Sequence, residues 1–268
     1  MERQVTSFRE VTETLRGLGI PPGRPVIAHA CLSAFGKVRG GAETLLNALL
    51  ASFGRVMMPA FTYRTMIVPE AGPADNALEY GSGRDLNRMA EFFHMDMPAD
   101  RLIGAVAEAL RSSPLAQRST HPILSFTGIG VEAALEIQSL AEPLAPIGWL
   151  HEAGGWVVLL AVDHTANTSI HYAEHLAGRA GFVRWALTLD GVVECPSFPG
   201  CSQGFQALAP DLEGVVRAAG AGSAIIQAVP LADLVERTLF RLASDPFALL
   251  CGSEHCLRCR AVREKTTN

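Results

Sequence analysis

Hydrophobic and polar positions change period several times along the chain, and each change marks the boundary of a predicted element. Unbroken apolar runs of strand length are typical of buried strands, whereas apolar positions three or four residues apart indicate amphipathic helices. We predict strands within 21–36, 55–63, 125–130, 154–164, 183–198 and 223–231. We predict helices within 7–19, 40–54, 103–113, 131–141, 168–179, 211–220 and 231–250. This alternation predicts an α/β fold with a mixed central β-sheet flanked by helices.

Three segments refine this prediction. The apolar run GGWVVLLAVDH, 154–164, is the best strand of the chain, and we expect it to be central and buried on both faces. The segment VRWALTLDGVVECPSF, 183–198, predicts a β-hairpin about Asp190-Gly191. Residues 63–98 hold no clear period, which is typical of a functional loop region. We expect one domain over 1–268, with 63–98 as an irregular insertion.

Composition and charge limit the classes of protein to consider. The chain has 268 residues, of which 49% are hydrophobic and 18% charged, as in a globular protein. The net charge is −5 and no basic block is present, so we expect no nucleic-acid partner. The N-terminal segment MERQVTSFREVTETLRGLGI lacks the apolar core of a signal peptide, and no apolar run reaches the roughly 18 residues that span a bilayer. We therefore expect a cytoplasmic protein with no membrane partner.

The cysteines indicate a metal site. Three of the six lie in the tail CGSEHCLRC, as Cys251, Cys256 and Cys259, and clustered thiols in a cytosolic protein favour metal over disulfides. A structural zinc needs a fourth ligand, for which Cys201 is the first choice, followed by His255 and Cys195. Free thiols on a mobile tail, 251–259, are the alternative.

The segment HYAEH combines two histidines and a glutamate. On a helix, His171 and His175 share a face, and Glu174 lies beside His171 at i, i+3. The pattern H-x-x-E-H is that of a zinc peptidase, in which the histidines bind zinc and the glutamate activates water. A catalytic zinc would need a third ligand, and no candidate has a peptidase-like spacing. A histidine and a glutamate that simply pair on the helix are the common alternative.

Two glycine-containing segments resemble phosphate-binding turns. The segment IAHACLSAFGKVRGGAETLLNALL leads from a strand through glycines into a helix, where N–H groups attract anions, but it lacks both established phosphate-loop patterns. The segment RAAGAG, 217–222, matches the coenzyme A loop of the GNAT acetyltransferases. Because a predicted helix precedes it and a predicted strand follows, we interpret Gly220 and Gly222 as a helix stop and turn.

Several segments together resemble a known family. The carrying segments occur in the family's order over roughly 25–210 and are HACLSAFGKVRGGAETLLNAL, VMMPAFTY, MPADRLIGAVAEALR, RSTHPILSFTGIG, PLAPIGWLHEAGGWVVLLAVDHTANTSIHYAEH and PGCSQGF. They resemble the aminoglycoside 3-N-acetyltransferases, also called the antibiotic N-acetyltransferase fold, which is unrelated to the GNAT fold. The resemblance implies a mixed sheet with a smaller substrate-side subdomain and an acetyl-CoA-dependent enzyme.

The resemblance also implies where the ligands bind. Coenzyme A is expected against the turn after the first sheet strand and two later side chains, namely Ser33, Ala34, Phe35, Gly36, Val38, Gly40, Gly41, Ala42, His121 and Ser125. The acceptor is expected near the HYAEH helix and the 63–98 insertion, at Tyr63, Asp163, Asn167 and Thr168. The family core T-x-x-H-Y-A-E is matched by Thr168, His171, Tyr172, Ala173 and Glu174.

The chemistry of amine acetylation suits these residues. A histidine can remove the proton from an ammonium group, and a carboxylate can steady the imidazolium that results. We expect His171 as general base with Glu174 as its partner, and His164 as the competing base. The acceptor is expected to be an aminoglycoside 3-amine or a similar polyamine. A non-antibiotic amine, a zinc metallohydrolase built on HYAEH, and a non-catalytic binder of coenzyme A remain the alternatives.

Overall fold

The computed structural model describes residues 5–267. The N-terminal segment, which we expect not to be a signal peptide, has its first four residues outside this range. The strands are β1 Val5–Thr6, β2 Val26–Ala30, β3 Lys37–Val38, β4 Val56–Pro59, β5 Met66–Ile67, β6 Gln117–Arg118, β7 Phe126–Ile129, β8 Trp156–Leu160, β9 Phe182–Thr188, β10 Gly191–Phe198, β11 Arg217–Ala221 and β12 Ala224–Pro230. The helices are α1 Phe8–Gly17, α2 Gly41–Phe53, α3 Arg84–Met89, α4 Ala105–Arg111, α5 Glu132–Glu136, α6 Ala145–Glu152, α7 Ser169–Leu176, α8 Leu231–Ser244 and α9 Leu257–Thr267.

A seven-stranded sheet organises the molecule in the order β11-β12-β8-β2-β4-β7-β6. Strand β2 runs parallel to both β4 and β8, while the other neighbours are antiparallel. The predicted mixed sheet is thus confirmed. Strand β8 lies inside the sheet and all five of its residues are buried, as its unbroken apolar run predicts.

Two hydrophobic cores cover the two faces of this sheet. Alternate residues of a strand point to opposite faces, so Ile27 of β2 packs into one core while Val26 and Ala28 pack into the other. The core on the Val26 side is completed by α1, α2 and α4. The core on the Ile27 side is completed by α5, α6, α7 and α8. The helices therefore flank the sheet on both faces, as predicted.

A second, three-stranded sheet in the order β10-β9-β5 forms the smaller part of the fold. The hairpin about Asp190-Gly191 is confirmed, with Gly191 opposite Thr188. Strand β5 comes from the 63–98 segment and pairs with β9. The Asn76 side chain also bonds β9, since its Nδ2 donates to Val183 O at 2.9 Å and its Oδ1 accepts from Val183 N at 2.7 Å. The mostly irregular 63–98 segment is therefore fixed to the hairpin.

Towards the C-terminus, two predictions need correction. The helix predicted over 211–220 is wrong, because 205–212 is a 3-10 helix and Arg217–Ala221 is strand β11. Gly220 is therefore not a helix stop, although Gly222, at φ +59°, does make the turn into β12. Apolar positions at 215, 216, 218 and 219 imitate helical spacing, and pairing with β12 overrides it. The tail continues into α9, which begins at Leu257 and includes Cys259.

Candidate active site

A cavity of about 1410 Å³ opens at the carboxyl ends of β2 and β4 and beyond the end of β8. Open α/β sheets bind ligands at this edge because the loops that follow parallel strands meet there. One part of the wall comes from the turn after β2 and from residues 101–105. Another part comes from the 63–78 region, the second sheet, residues 198–203 and the start of α9. Helix α7 contributes His171 to the same cavity.

His171 is held by a chain of polar contacts behind it. Its Nδ1 lies 2.7 Å from Glu174 Oε2, with the two residues at i, i+3 on α7. Arg179 Nη1 donates to the other carboxylate oxygen of Glu174, and Arg179 Nη2 donates to Ala248 O at 3.0 Å. His171 and Glu174 are 8% and 5% exposed, so the contacts lie almost out of water.

This arrangement decides how His171 can act. Because the Glu174 carboxylate accepts the Nδ1 proton, Nε2 is left as the nitrogen that can take a proton from a ligand in the cavity. The Phe205 ring packs against the imidazole with centroids 4.6 Å apart and limits its rotation. The Glu174 carboxylate, which also accepts from Arg179, can stabilise an imidazolium at His171.

The competing base, His164, occupies a different environment. It is 2% exposed and does not line the cavity. Its Nδ1 lies 3.2 Å from Asn167 Nδ2, and burial lowers the pKa of the imidazole. Asp163 is exposed and accepts from Thr165 N at 2.9 Å.

The residues expected to bind the acceptor divide into two groups. Tyr63 and Thr168 line the cavity, whereas Asp163 and Asn167 lie beside it. Burial raises the pKa of Tyr63 to about 12, against an opposing effect of Arg258, so its hydroxyl stays neutral. Asn167 is buried and uses its Oδ1 to accept from Ser169 N at 3.2 Å, which fixes the start of α7.

The turn expected to bind coenzyme A contributes only part of its length to the cavity. Ser33 and Gly36 line it, whereas Phe35 is 1% exposed and packs into the core. The remaining residues expected to bind coenzyme A do not line the cavity, namely Ala34, Val38, Gly40, Gly41 and Ala42. Gly40 and Gly41 have φ of +84° and +61°, a left-handed turn that leads into α2.

His121 and Ser125 lie inside the protein. His121 Nδ1 accepts from Ile123 N at 3.1 Å and from Leu124 N at 3.0 Å, and burial lowers its pKa to about 4. Ser125 Oγ donates to Ala60 O at 2.8 Å. They are 3% and 0% exposed and do not line the cavity, so the structure does not bring them together with Ser33.

The four cysteines expected to bind zinc do come together. The thiols of Cys201, Cys251, Cys256 and Cys259 all lie within 4.8 Å of one another. Burial raises the pKa of Cys201, whereas at Cys256 the effect of burial is outweighed by the Cys259 N–H and the neighbouring thiols, which lower its pKa to about 7. In a tetrahedral site with four Zn–S distances of about 2.3 Å, the sulfurs lie about 3.8 Å apart, and the separations here exceed that value by about 1 Å at most.

The residues weighed as alternative ligands lie elsewhere. Cys195 is buried in β10, where burial raises its pKa to about 12, and His255 is exposed. In HYAEH, the exposed His175 lies 3.7 Å from Glu142, away from the His171–Glu174 pair. Within residues 5–267, the thiol cluster is the one group of three or more possible metal ligands that are close enough to share an ion. The zinc-peptidase interpretation of HYAEH therefore has no support in the geometry.

Comparison with known proteins agrees with these features. The family model of the aminoglycoside 3-N-acetyltransferases matches residues 27–242. Aminoglycoside N(3)-acetyltransferase III of Serratia marcescens is 29% identical over 218 residues, which are 71% of this chain and 79% of that protein. Aminoglycoside N(3)-acetyltransferase VIII of Streptomyces fradiae is 34% identical over 187 residues, which are 66% of this chain and 63% of that protein. The apoenzyme structure of aminoglycoside acetyltransferase AAC(3)-IVa superimposes with a TM-score of 0.80 at 25% identity, covering 98% of this chain and 99% of that one.

The mixed sheet with its cleft is therefore the fold of an amine acetyltransferase that is distinct from the GNAT fold. The chain belongs to the aminoglycoside 3-N-acetyltransferase family. It is an acyltransferase that uses acetyl-CoA to acetylate an amine, and the family, fold and activity that the sequence resemblance implied are confirmed. None of the helices in the described part of the chain has the length and apolar composition needed to cross a membrane.

Proposed function

We propose that this protein transfers the acetyl group of acetyl-CoA directly to an amine of an aminoglycoside, at the 3-N position, or of a similar polyamine. The observation that carries the proposal is the His171–Glu174–Arg179 chain at the wall of a cavity large enough for two ligands. Related acetyltransferases have been solved with a gentamicin, with sisomicin and with CoASH, which supports these ligand classes.

The reaction needs a base because an ammonium group has no lone pair with which to attack a thioester. His171 Nε2 takes a proton from the acceptor, and the freed lone pair attacks the thioester carbonyl carbon. The C–N bond forms, the C–S bond breaks, and coenzyme A leaves as a thiolate. Of the two protons that the nitrogen loses, one passes through His171 to that thiolate and the other goes to solvent. Glu174 stabilises the imidazolium between these steps, and no covalent enzyme intermediate is involved.

The coenzyme is proposed to lie along the turn from Ser33 to Ala42. Its phosphates suit the amino-terminal end of α2, a helix of 13 residues whose first N–H groups have no side-chain cap. Gly40 and Gly41 have positive φ values and no side chains, so a ligand can approach the backbone of this turn closely. His121 and Ser125 have a supporting role. Their hydrogen bonds fix the backbone at 60 and 123–124, which supports the cavity wall.

A structural zinc is proposed at Cys201, Cys251, Cys256 and Cys259. With four protein ligands the site has no open position for water, so the metal would not take part in the reaction. It would bind α9 to the 201 segment, both of which line the cavity. Thiolates of this kind persist in a reducing compartment, and we place the protein in the cytoplasm on that basis.

The proposed activity is tested by thiol release. The purified protein is mixed with acetyl-CoA and a panel of amines that includes gentamicin, sisomicin and spermidine. We expect release of free coenzyme A that depends on the amine and matches the amount of acetylated product seen by mass spectrometry. Release that is independent of the amine would show hydrolysis instead, and binding of both ligands without release would leave only a non-catalytic binder.

A further inference from the structure

The described cavity wall has arginines but no carboxylates, and Cys201 and Cys256 of the thiol cluster also lie on it. Among the residues of 5–267 that line it, three are arginines, Arg101, Arg184 and Arg258, and none is an aspartate or a glutamate. A wall of this kind attracts anions and repels cations. This is unexpected for a site whose acceptor carries several ammonium groups.

Arg184 is the most unusual of the three. It lies on β9 with 3% of its surface exposed, and its guanidinium contacts the Phe182 and Phe198 rings at 5.3 and 5.2 Å. Its Nη1 donates to the neutral oxygens of Asn76 O at 3.0 Å and Val183 O at 2.7 Å. Within the described residues no carboxylate lies within ion-pair distance of it. A buried guanidinium without a counter-ion is costly, and a ligand anion would relieve that cost.

Arg258 adds a second positive charge at the same part of the wall. It lies on α9, half-buried, and its Nη1 donates to Gly200 O at 2.9 Å. The two arginines are close enough to influence each other, since the charge of Arg258 adds to burial in lowering the pKa of Arg184 to about 10. The guanidinium of Arg184 therefore stays charged at neutral pH.

Asp100 and Glu174, two carboxylates bonded to residues of the cavity wall, already have partners. Asp100 Oδ2 accepts from Tyr63 N at 2.5 Å, and its other oxygen lies 3.9 Å from Arg64. Glu174 is shared by His171 and Arg179. Neither carboxylate neutralises Arg184 or Arg258. The negative charge of a zinc bound by four thiolates would offset part of the charge of Arg258, and Arg184 keeps a charge that a ligand can meet.

Arg101 is a less suitable member of such a site. It is exposed, and it precedes Gly104, where an added Cβ would lie 2.9 Å from the Ala30 carbonyl at the end of β2. This places the 101–105 segment beside the turn proposed for coenzyme A, whose phosphates are a sufficient partner for its charge. Arg184 and Arg258 instead share their part of the wall with Tyr63 and residues 198–203.

We propose that Arg184 and Arg258 form an anion subsite for the acceptor, and that the enzyme also acetylates amines that carry a carboxylate or a phosphate group. The proposal rests on the proposed function, because it assigns a further class of acceptor to the same His171 site. The amine is placed at His171 Nε2, while the anionic group of the same molecule binds at the two guanidinium groups. A guanidinium recognises both carboxylate and phosphate by paired N–H donors, so these two chemistries share the subsite.

Matched pairs of amines test this with the wild-type protein. The pairs are 4-aminobutanoate with 4-aminobutanamide, 6-aminohexanoate with 6-aminohexanamide, and phosphoethanolamine with ethanolamine, and gentamicin is measured beside them. In each pair the amine is kept and the negative charge is removed. We expect at least one anionic member to exceed its neutral partner in kcat/KM by about tenfold or more, mainly through KM. The pair that shows the effect distinguishes a carboxylate from a phosphate.

A charge substitution tests the assignment to particular residues. Arg258→Gln keeps a donor for Gly200 O and removes the charge, so the preference for the anionic member should fall by about tenfold with KM for acetyl-CoA unchanged. Arg258→Glu should lower it further and raise kcat/KM for the neutral partner. Arg260→Gln is the matched control, because Arg260 lies on the same helix, is exposed, and pairs with Glu264 at 3.9 Å outside the cavity.

The outcomes separate this inference from the proposed function. If no amine, including gentamicin, leads to thiol release, the proposed function itself is wrong. Release with gentamicin while every anionic amine is no better than its neutral partner would overturn the anion subsite alone. An equal preference in Arg258→Gln and Arg260→Gln would overturn the assignment to Arg258. If the Arg258 variants fail to fold, the wild-type pairs still decide whether the subsite exists.

Discussion

At the scale of single residues, the proposed mechanism depends on one imidazole nitrogen. Glu174 accepts a hydrogen bond from His171 Nδ1, and Arg179 donates to the other oxygen of Glu174. We expect His171→Ala to lower kcat by about 10²–10⁴-fold with little change in KM for acetyl-CoA, because a general base acts only in the chemical step. Steady-state kinetics by thiol release measures both constants.

Two other histidines serve as controls for this prediction. His175→Ala removes an exposed imidazole from the same helix and should leave kcat close to that of the wild type. His164→Ala removes the buried competitor. If His164→Ala abolishes turnover while His171→Ala retains it, the assignment of the base is wrong.

The sequence predicted the short-range part of this site and missed the long-range part. His171 and Glu174 are three residues apart, so helical geometry alone brings them together. The bond from Arg179 to Ala248 O spans 69 positions of the chain, and the neighbourhood of Arg184 and Arg258 spans a similar distance. No local period encodes such contacts. The same limit applies to His121, whose burial depends on segments that only the folded chain assembles.

At the scale of elements, the turn into α2 is the feature to test. Gly41 has φ +61° and open space where a Cβ would lie, so a side chain there is tolerated sterically but strains the backbone. We expect Gly41→Val to raise KM for acetyl-CoA several-fold without a comparable change for the amine, because the turn would no longer present its N–H groups in the same direction. Initial-rate kinetics with each substrate varied in turn measures this.

The other end of the same helix offers a matched control. Gly54 has φ +69° and likewise nothing within 4 Å of an added Cβ. Gly54→Val therefore imposes the same kind of backbone strain about 20 Å away, given 1.5 Å of rise per residue. Both variants should lose stability, and Gly41→Val alone should change KM for acetyl-CoA. A selective loss of the amine instead would place the coenzyme elsewhere.

Elements were predictable where the local pattern and the tertiary structure agreed. The unbroken run of β8 and the Asp190-Gly191 turn need no distant information, and both predictions are confirmed. The helix predicted for the segment of strand β11 was wrong because pairing with β12, and not the residues of the segment itself, makes it a strand. Helix α9 was not predicted; it begins at Leu257, inside the cysteine-rich tail, and includes Cys259.

At the scale of the whole molecule, the four thiols connect the C-terminal segment to the rest of the protein. Arg258 lies between Cys256 and Cys259, so the metal proposed there would also fix a residue of the cavity wall. We expect Cys256→Ser to lose one equivalent of zinc and to melt at a lower temperature, because the binding energy of a structural zinc is folding energy. The kcat of the folded fraction should stay close to that of the wild type, with a higher KM for the amine.

Elemental analysis and thermal unfolding check this prediction. Cys195→Ser is the control, since Cys195 is buried but lies outside the cluster, and this variant should keep its zinc. Wild-type protein that is purified without chelator and contains no zinc would contradict the metal site. A Cys256→Ser variant that keeps its zinc would show that another set of ligands holds it.

The buried histidines determine how the whole molecule responds to acid. Burial lowers the pKa of His29 to about 3 and of His121 to about 4, from 6.5 when solvated, and lowers that of His164 as well. Between the folded and unfolded values, the unfolded chain binds more protons than the native protein. A falling pH therefore favours unfolding. The free energy of unfolding begins to fall near pH 6.5 and continues to fall down to the pKa values of the folded state. Each histidine contributes about 1.4 kcal/mol per pH unit.

We therefore expect the free energy of unfolding, measured by chemical denaturation, to fall steadily from pH 6.5 to pH 4. His29→Leu should flatten this slope by about 1.4 kcal/mol per pH unit, because His29 Nε2 is buried without a partner and its loss leaves nothing to protonate on unfolding. His94→Gln, at an exposed position, should leave the slope as it is. A wild-type protein whose stability is unchanged over this range would show that these imidazoles reach water in the native state. A slope that is the same in His29→Leu would assign the acid sensitivity to other groups.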